Sequence, residues 1–187
     1  MKIKFTDKFD IEKTAFCGQT FRVRRGEDGR FTFIHGEKTV TLGQVDDSTV
    51  EADCSEGEWE DIWSDYFDMG KDYDAVIGRI APGDGFLTEA ARYGRGIRIL
   101  RQDPWEALIC FIISQRKSMK AISTSVELLC ERFGGNTDRE GIPAFPTPRA
   151  LSEASLDDLK ACALGYRAPY IADAARSVYL GELSLVD

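Results

Sequence analysis

The sequence predicts an α+β fold in which an N-terminal antiparallel β-sheet with helices packs on an all-helical domain. Residues 20–42 alternate apolar and polar side chains between turn signals, which is typical of half-buried strands. From about Glu58 onward, apolar residues recur at helical spacing instead. We therefore expect an antiparallel sheet subdomain with helices over residues 1–95 and a helical subdomain over residues 96–187.

The first subdomain contains two segments with the alternation of β-strands, over residues 20–25 and 30–42. The turn signal at residues 27–29 separates them, and His35-Gly36 interrupts the second segment. His35 is the only histidine of the chain. At a hairpin turn we expect it to be exposed to solvent and without a functional role.

Helical spacing predicts the remaining elements in order. A helix begins near Glu58, where apolar side chains recur at Trp59, Ile62, Trp63, Tyr66 and Phe67. A second helix follows the loop 82–85 and ends at Gly94. Four more helices are expected beyond it, at about 104–114, 119–133, 148–161 and 168–180.

The helix predicted at 104–114 has the clearest start in the chain. Asp103 suits the N-cap, Pro104 suits the first helical position, and Glu106 completes a capping-box pattern. The apolar run that follows stops at the polar corner 114–118. A polar corner between two predicted helices is a candidate for a functional site.

Four short blocks in this order along the chain resemble the 8-oxoguanine DNA glycosylase family of the helix-hairpin-helix superfamily. The blocks are Cys17-Gly-Gln-Thr-Phe-Arg22, Tyr66-Phe-Asp-Met69 with Asp72-Tyr73, residues 96–115, and Leu164-Gly-Tyr-Arg-Ala-Pro-Tyr170. The resemblance extends from about residue 5 to residue 180. Four blocks in one order are far more specific than any one of them.

The resemblance implies a DNA glycosylase with AP lyase activity, which removes 8-oxoguanine from duplex DNA in base excision repair. The implied partner is double-stranded DNA containing a damaged base, and no cofactor is implied. Such an enzyme extrudes the damaged base, fills the hole left in the stack and reads the extruded base. These three tasks require different residue types.

The polar corner matches the place where the family carries an asparagine cluster that enters the vacated space and contacts the orphaned cytosine. The three asparagines fall on Arg116, Lys117 and Ser118, which is a departure from the family pattern. Arginine still suits this task because its planar fork carries five donors. By resemblance, Tyr166 wedges into the stack beside the orphaned base and Arg167 bonds to that cytosine.

Gly18 matches a family glycine whose backbone carbonyl accepts the N7 hydrogen that distinguishes 8-oxoguanine from guanine. A carbonyl there is satisfied by the oxidised base and faces a lone pair when normal guanine enters. An unpaired buried polar group costs about 1–3 kcal/mol. From the residues alone, a glycine needed for a strand bend explains Gly18 equally well.

Glycosidic cleavage with lyase activity needs an amine nucleophile and an assisting carboxylate. The family's hairpin with the nucleophilic lysine, and the aspartate beyond it, would lie downstream of Asp187. We therefore expect no catalytic residue in this chain, no activity of this chain alone, and a missing C-terminal segment as its complement. The lysines Lys117, Lys120 and Lys160 are expected to contact phosphates or solvent.

Charge is distributed unevenly along the chain. The formal net charge is -8, yet residues 46–74 alone carry twelve acidic side chains and one lysine. The rest of the chain therefore has a balance of +3. An acidic flank on a mildly basic body is compatible with DNA binding at one side, although the flank is equally explained as a solvated surface.

Composition excludes several other classes of protein. The five cysteines include no Cys-x-x-Cys pair, and a single histidine is present, so neither a disulfide framework nor a metal site is expected. No apolar run approaches the roughly 20 residues of a membrane span, and the first residues do not resemble a signal peptide. We expect a soluble, cytoplasmic protein with no membrane partner.

Two other functions remain open from the sequence. One is a non-catalytic DNA-binding module that recognises damaged or distorted sites, and the other is a protein-interaction domain that uses the acidic segment. The sequence also does not separate oxidised from alkylated bases as the substrate of a glycosylase.

Overall fold

The computed structural model describes residues 1–185, and this part of the chain forms two compact units. The first unit consists of residues 1–33 and 40–101. The second consists of residues 34–39 and the residues from Gln102 onward.

The sheet has five antiparallel strands in the order β1-β5-β4-β3-β2, which confirms the predicted class. The strands are β1 (Lys2–Lys4), β2 (Arg24–Arg25), β3 (Phe31–His35), β4 (Lys38–Gln44) and β5 (Thr49–Ala52). The prediction of a strand over 20–25 was too long, since only its last two residues pair with β3. Strands β1 and β5 were missed, because three or four residues are too few to establish an alternating pattern.

Five α-helical segments belong to the first unit: α1 (Ile11–Phe16), α2 (Glu56–Glu58), α3 (Ser64–Tyr66), α4 (Tyr73–Ile77) and α5 (Gly85–Gly94). A π-helical turn over Trp59–Trp63 joins α2 to α3, so the predicted helix near Glu58 is present. It begins earlier than expected because the Ser55 side chain accepts a hydrogen bond from the Glu58 amide at 3.2 Å.

Aromatic side chains form much of the core of the first unit. Trp59, Trp63 and Phe67 lie on one face of the π-helical turn and the residues after it, and all three are buried. Phe67 meets Phe33 of β3 edge to face, with 5.0 Å between ring centroids. Because each ring removes a large apolar area from water, these contacts hold the helix on the sheet.

A buried ion pair fixes the last segment of the first unit. The Arg98 guanidinium is 1% exposed and is bonded to the Asp7 carboxylate. It lies between the rings of Phe5 and Tyr73, at 4.9 and 4.8 Å from their centroids. It also donates to the Asp68 carbonyl at 2.8 Å. A charge this deep is tolerated because it is paired and hydrogen-bonded.

We predict that Asp7→Asn destabilises the fold by about 3 kcal/mol, because removing one partner leaves a buried, uncompensated charge. Asp74→Asn is the matched control, since Asp74 forms an exposed pair with Arg95 at 2.8 Å. It should cost less than about 1 kcal/mol. Urea denaturation gives both free energies of unfolding, and equal losses would show that the buried pair has no special weight.

The second unit contains the helices α6 (Pro104–Ser114), α7 (Met119–Phe133), α8 (Pro148–Ser152), α9 (Leu156–Leu159) and α10 (Ala168–Tyr179). Helix α10 packs against α8 and α6, and α6 packs against α7. The bounds predicted for α6 and α7 are confirmed. The single helix predicted over 148–161 is wrong, because Ser155 caps a new helix by accepting from the Asp158 amide at 3.1 Å.

The start of α6 agrees with its predicted capping. The Asp103 carboxylate accepts hydrogen bonds from the amides of Trp105 and Glu106, at 2.8 and 3.0 Å. The Trp105 indole donates to the Pro146 carbonyl at 2.9 Å, which anchors this end of the helix. These contacts fix the position of the start of α6, and through the helix they also fix the position of its last residue, Ser114.

In residues 1–185 all five cysteines are free thiols, and no cluster of side chains is suited to hold a metal ion. Within the same residues, no helix combines the length and apolarity that a membrane span requires.

Candidate nucleic-acid interface

The polar corner after α6 is a tight turn with an unusual backbone. Helix α6 ends at Ser114, and Ser118 caps α7 by accepting from the Ala121 amide at 3.4 Å. Between them Arg116 has a φ of +54°, in the left-handed region. This conformation disfavours side chains other than Asn and Asp by about 1–2 kcal/mol. We call residues 115–118 the first corner.

A second tight turn lies between α9 and α10. The chain leaves α9 through a π-helical segment in which Ala163 has a φ of +57°, and Gly165 has a φ of +58°. A 3-10 turn over Gly165–Arg167 then leads into α10. Tyr166 is 53% exposed, as predicted from the glycine before it. We call residues 163–167 the second corner.

Two cationic side chains bond the corners to each other. Arg167 donates from Nη2 to the carbonyl of Gln115, which lies 52 residues earlier in the chain. Lys117 donates from Nζ to the carbonyl of Ala163 at 2.7 Å. Each corner therefore supplies one cation, Lys117 or Arg167, to a backbone carbonyl of the other.

An arginine and a tyrosine are among the exposed side chains at these corners. Arg116 is exposed, and Tyr166 meets Tyr170 edge to face with 6.4 Å between centroids. The guanidinium of Arg167 lies 4.4 Å from the centroid of the Tyr166 ring, although Arg167 is only 7% exposed. A planar ring backed by a cation, beside an exposed arginine, suits stacking on bases and contact with phosphates.

Sequence reasoning missed Ser125, which completes the contact between the corners. Its hydroxyl, fully buried in α7, lies within hydrogen-bonding distance of the Ala163 carbonyl at 3.2 Å and also contacts the Lys117 ammonium. A signal was present in the sequence, because Ser125 falls on the apolar stripe formed by Ile122 and Val126. A polar residue in such a stripe indicates a buried hydrogen bond.

Charge and burial act on the two cations. Burial, followed by the nearby positive charge of Arg167, lowers the pKa of the Lys117 ammonium below its usual value. Arg167 Nε is buried and has no hydrogen-bond partner within residues 1–185, while its Nη1 donates to the Leu164 carbonyl at 3.4 Å. Arg167 thus has donors that are weakly used in this structure.

Gly18 lies in the first unit, in the loop after α1. Its φ of +94° is a conformation that side chains with a Cβ rarely adopt. The neighbouring Gln19 side chain fixes the loop, donating to the Arg98 carbonyl at 2.7 Å and accepting from the Leu100 amide at 2.9 Å.

Two of the remaining residues that were predicted to contact DNA have partners within the protein. Ser118 is the N-cap of α7, and the Lys160 ammonium lies 3.1 Å from Asp157. Lys120 is exposed. Contacts of these residues and of Lys117 with DNA therefore stay predictions.

We predict that Arg116→Asn raises the free energy of unfolding by about 0.5–1 kcal/mol, because Asn tolerates the left-handed conformation better than Arg. Arg116→Ala removes the same side chain and retains the strain, so it should change stability by less than about 0.5 kcal/mol. Urea denaturation of both variants measures the difference. Identical values for the two variants would contradict the assigned backbone conformation.

Two models of known protein families match this chain. Residues 2–108 match the family described as 8-oxoguanine DNA glycosylase, N-terminal domain. Residues 109–187 match the family described as HhH-GPD superfamily base excision DNA repair protein. The two matches are adjacent and do not overlap.

Relatives of known description are N-glycosylase/DNA lyases. OGG1 of Arabidopsis thaliana is 29% identical over 158 residues, which cover 81% of this chain and 38% of that protein. The Saccharomyces cerevisiae enzyme is 40% identical over 88 residues, which cover 45% of this chain and 23% of that protein. The matched part of the chain therefore spans less than half the length of these relatives.

Solved structures extend the comparison. MBOgg1 in complex with a low-affinity DNA ligand is 34% identical, with a TM-score of 0.91 over 98% of this chain and 64% of that one. Clostridium acetobutylicum 8-oxoguanine glycosylase/lyase, bound to duplex DNA with cytosine opposite 8-oxoguanine, is 33% identical, with a TM-score of 0.88 over 99% and 67%.

A 3-methyladenine DNA glycosylase from Archaeoglobus fulgidus is 18% identical with a TM-score of 0.72, which shows a shared fold alone. The match over residues 2–108 covers more than half of the chain, and it concerns a family whose solved members share both the sequence and the fold. The chain belongs to the 8-oxoguanine DNA glycosylase family.

Proposed function

We propose that this chain is the DNA-recognition part of an 8-oxoguanine DNA glycosylase/AP lyase of base excision repair. The observation that carries the proposal is the mutual bonding of the two corners, which presents Arg116 and Tyr166 from turns that are distant in sequence. Family membership supplies the substrate class. The C. acetobutylicum relative was solved with cytosine opposite 8-oxoguanine.

Filling the gap left by the extruded base is assigned to Tyr166 and Arg116. The Tyr166 ring is rigid, exposed and planar, so it can replace a base in the stack. Its stacking on the neighbouring bases would stabilise the complex by about 1–3 kcal/mol. Arg116 reaches further than asparagine and carries five donors for a base edge or a phosphate. Arginine at position 116 can thus still fill the gap left by the extruded base, although it forms different contacts from those of asparagine.

Reading the orphaned cytosine is assigned to Arg167. Cytosine offers the acceptors O2 and N3 once its partner base has left, and an arginine fork can donate to two adjacent acceptors. The unpartnered Nε and the weakly bonded Nη1 of Arg167 are suited to this contact. Since Nε is buried, the Tyr166 ring has to shift as it enters the DNA.

Recognition of the lesion itself is assigned to the Gly18 carbonyl in the first unit. The positive φ of Gly18 and the Gln19 hydrogen bonds that hold this loop support the role. An N7 hydrogen satisfies this carbonyl, whereas guanine leaves it opposite a lone pair. The expected discrimination is about 1–3 kcal/mol, or roughly tenfold to a hundredfold in affinity.

The corners predict a preference for DNA with a gap in its stack. We expect this chain to bind a duplex with an abasic-site analogue opposite cytosine at least about fivefold more tightly than an undamaged duplex, because stacking of Tyr166 adds about 1–3 kcal/mol. Tyr166→Ala should remove most of this preference. Tyr179→Ala is the matched control, since Tyr179 is equally exposed at the far end of α10.

Fluorescence anisotropy at fixed salt, with both duplexes competing for each variant, measures the preference. Equal affinity of the wild-type chain for the two duplexes would contradict the proposed function. Equal effects of Tyr166→Ala and Tyr179→Ala on this preference would instead show that the second corner does not produce it.

Arg167→Ala tests the assigned reading of cytosine. We expect a loss of about 1–3 kcal/mol for an abasic site opposite cytosine and a smaller loss opposite adenine or thymine, because a base-edge contact depends on the partner base. The same loss with every partner would identify Arg167 as a phosphate contact or a structural brace.

Catalysis needs an amine nucleophile, and two of the candidate lysines are already engaged within the protein. Lys117 is bonded to a carbonyl and a hydroxyl, and Lys160 is paired with a carboxylate. We therefore propose that the 187-residue polypeptide recognises damaged DNA without cleaving it. Borohydride treatment with 8-oxoguanine DNA should trap no covalent adduct, and a trapped adduct would assign the nucleophile to this chain.

A further inference from the structure

We propose that Lys117 is a positioning residue, which sets the orientation of Tyr166 relative to Arg116 by holding the Ala163 carbonyl. This inference rests on the proposed function and adds a task that differs from the contact with DNA predicted for this residue. Lys117 follows Arg116 directly in the chain, yet its ammonium is bonded at the second corner. Arg116 is therefore assigned to a contact with DNA, and Lys117 to a contact inside the protein.

The geometry at Ala163 explains why a clamp is needed. A left-handed alanine is strained, and it persists only where the surroundings favour its conformation. Lys117 Nζ lies 2.7 Å and Ser125 Oγ 3.2 Å from the Ala163 carbonyl oxygen. With both groups in hydrogen-bonding positions at one carbonyl, the peptide plane after Ala163 is fixed, and that plane lies three residues before Tyr166.

The environment of Lys117 argues against a simple phosphate contact. Its side chain is half-buried, and it contacts the fully buried Ser125 hydroxyl as well as the carbonyl. These two contacts use two of the three ammonium hydrogens, so a second bond to a phosphate would require the ammonium to leave the Ala163 carbonyl or the Ser125 hydroxyl. The lowered pKa agrees with a desolvated ammonium whose proton is used inside the protein.

The first test uses the chain without DNA. Lys117→Met keeps the length of the side chain and removes the donor, Ser125→Ala removes the second polar group, and Lys120→Met removes an equal charge from the exposed neighbour. Hydrogen exchange of the amides in residues 163–168 should accelerate about tenfold in the first two variants and stay unchanged in the third. Unchanged exchange in Lys117→Met would overturn the inference.

The second test separates positioning from electrostatics on DNA. If Lys117 contacts a phosphate, its loss lowers the slope of log affinity against log salt by about 0.9. If it positions Tyr166, the slope stays and the preference for the abasic duplex falls about fivefold to tenfold, in Ser125→Ala as well as in Lys117→Met. Because Ser125 is fully buried, it cannot itself touch a phosphate.

A double-mutant cycle with Tyr166 completes the test. Lys117→Met should reduce the preference in the wild-type background and have no further effect in Tyr166→Ala, since Lys117 acts through that ring. Additive losses would overturn the inference and leave the proposed function intact. If the wild-type chain shows no preference for the abasic duplex, the proposed function fails, and the exchange experiment still decides whether Lys117 holds the corner.

Discussion

The candidate interface depends on two backbone carbonyls, those of Gln115 and Ala163, that accept hydrogen bonds from cations of the opposite corner. A carbonyl is a strong acceptor, and a bond from a charged donor is about twice as strong as a neutral one. Two such bonds hold turns that contain left-handed residues, which would otherwise relax. These bonds join the turn that carries Arg116 to the turn that carries Tyr166.

The helices determine where the two corners begin and end. Asp103 and Ser118 cap the starts of α6 and α7, so the first corner is confined to a few residues between two fixed ends. Gly165 gives the second corner its reversal of direction without steric cost. Strain and side-chain exposure are therefore concentrated in two short turns on an otherwise regular helical unit, as is common where loops bear function.

Local signals in the sequence predicted much of this arrangement. The long-range hydrogen bonds could not be predicted in this way. The capping pattern gave the bounds of α6, and Gly165 indicated an exposed Tyr166. The sequence contains no sign that Lys117 turns toward a carbonyl 46 residues away. Asp68 is a similar case in the first unit, since it reads as part of an acidic surface and is buried against Arg101 at 2.9 Å. The Lys117 bond leaves no pattern in the sequence because a main-chain carbonyl accepts whatever its side chain is. The Asp68–Arg101 pair leaves none because its partners are 33 residues apart.

The most direct test of the account is a crystal structure of this chain bound to a duplex with one abasic-site analogue opposite cytosine. We expect the Tyr166 ring and the Arg116 side chain both to lie within about 4 Å of the unpaired cytosine or its neighbouring bases. We also expect the Lys117 ammonium to remain bonded to the Ala163 carbonyl. DNA bound at another surface, or contacted by one corner alone, would contradict this account.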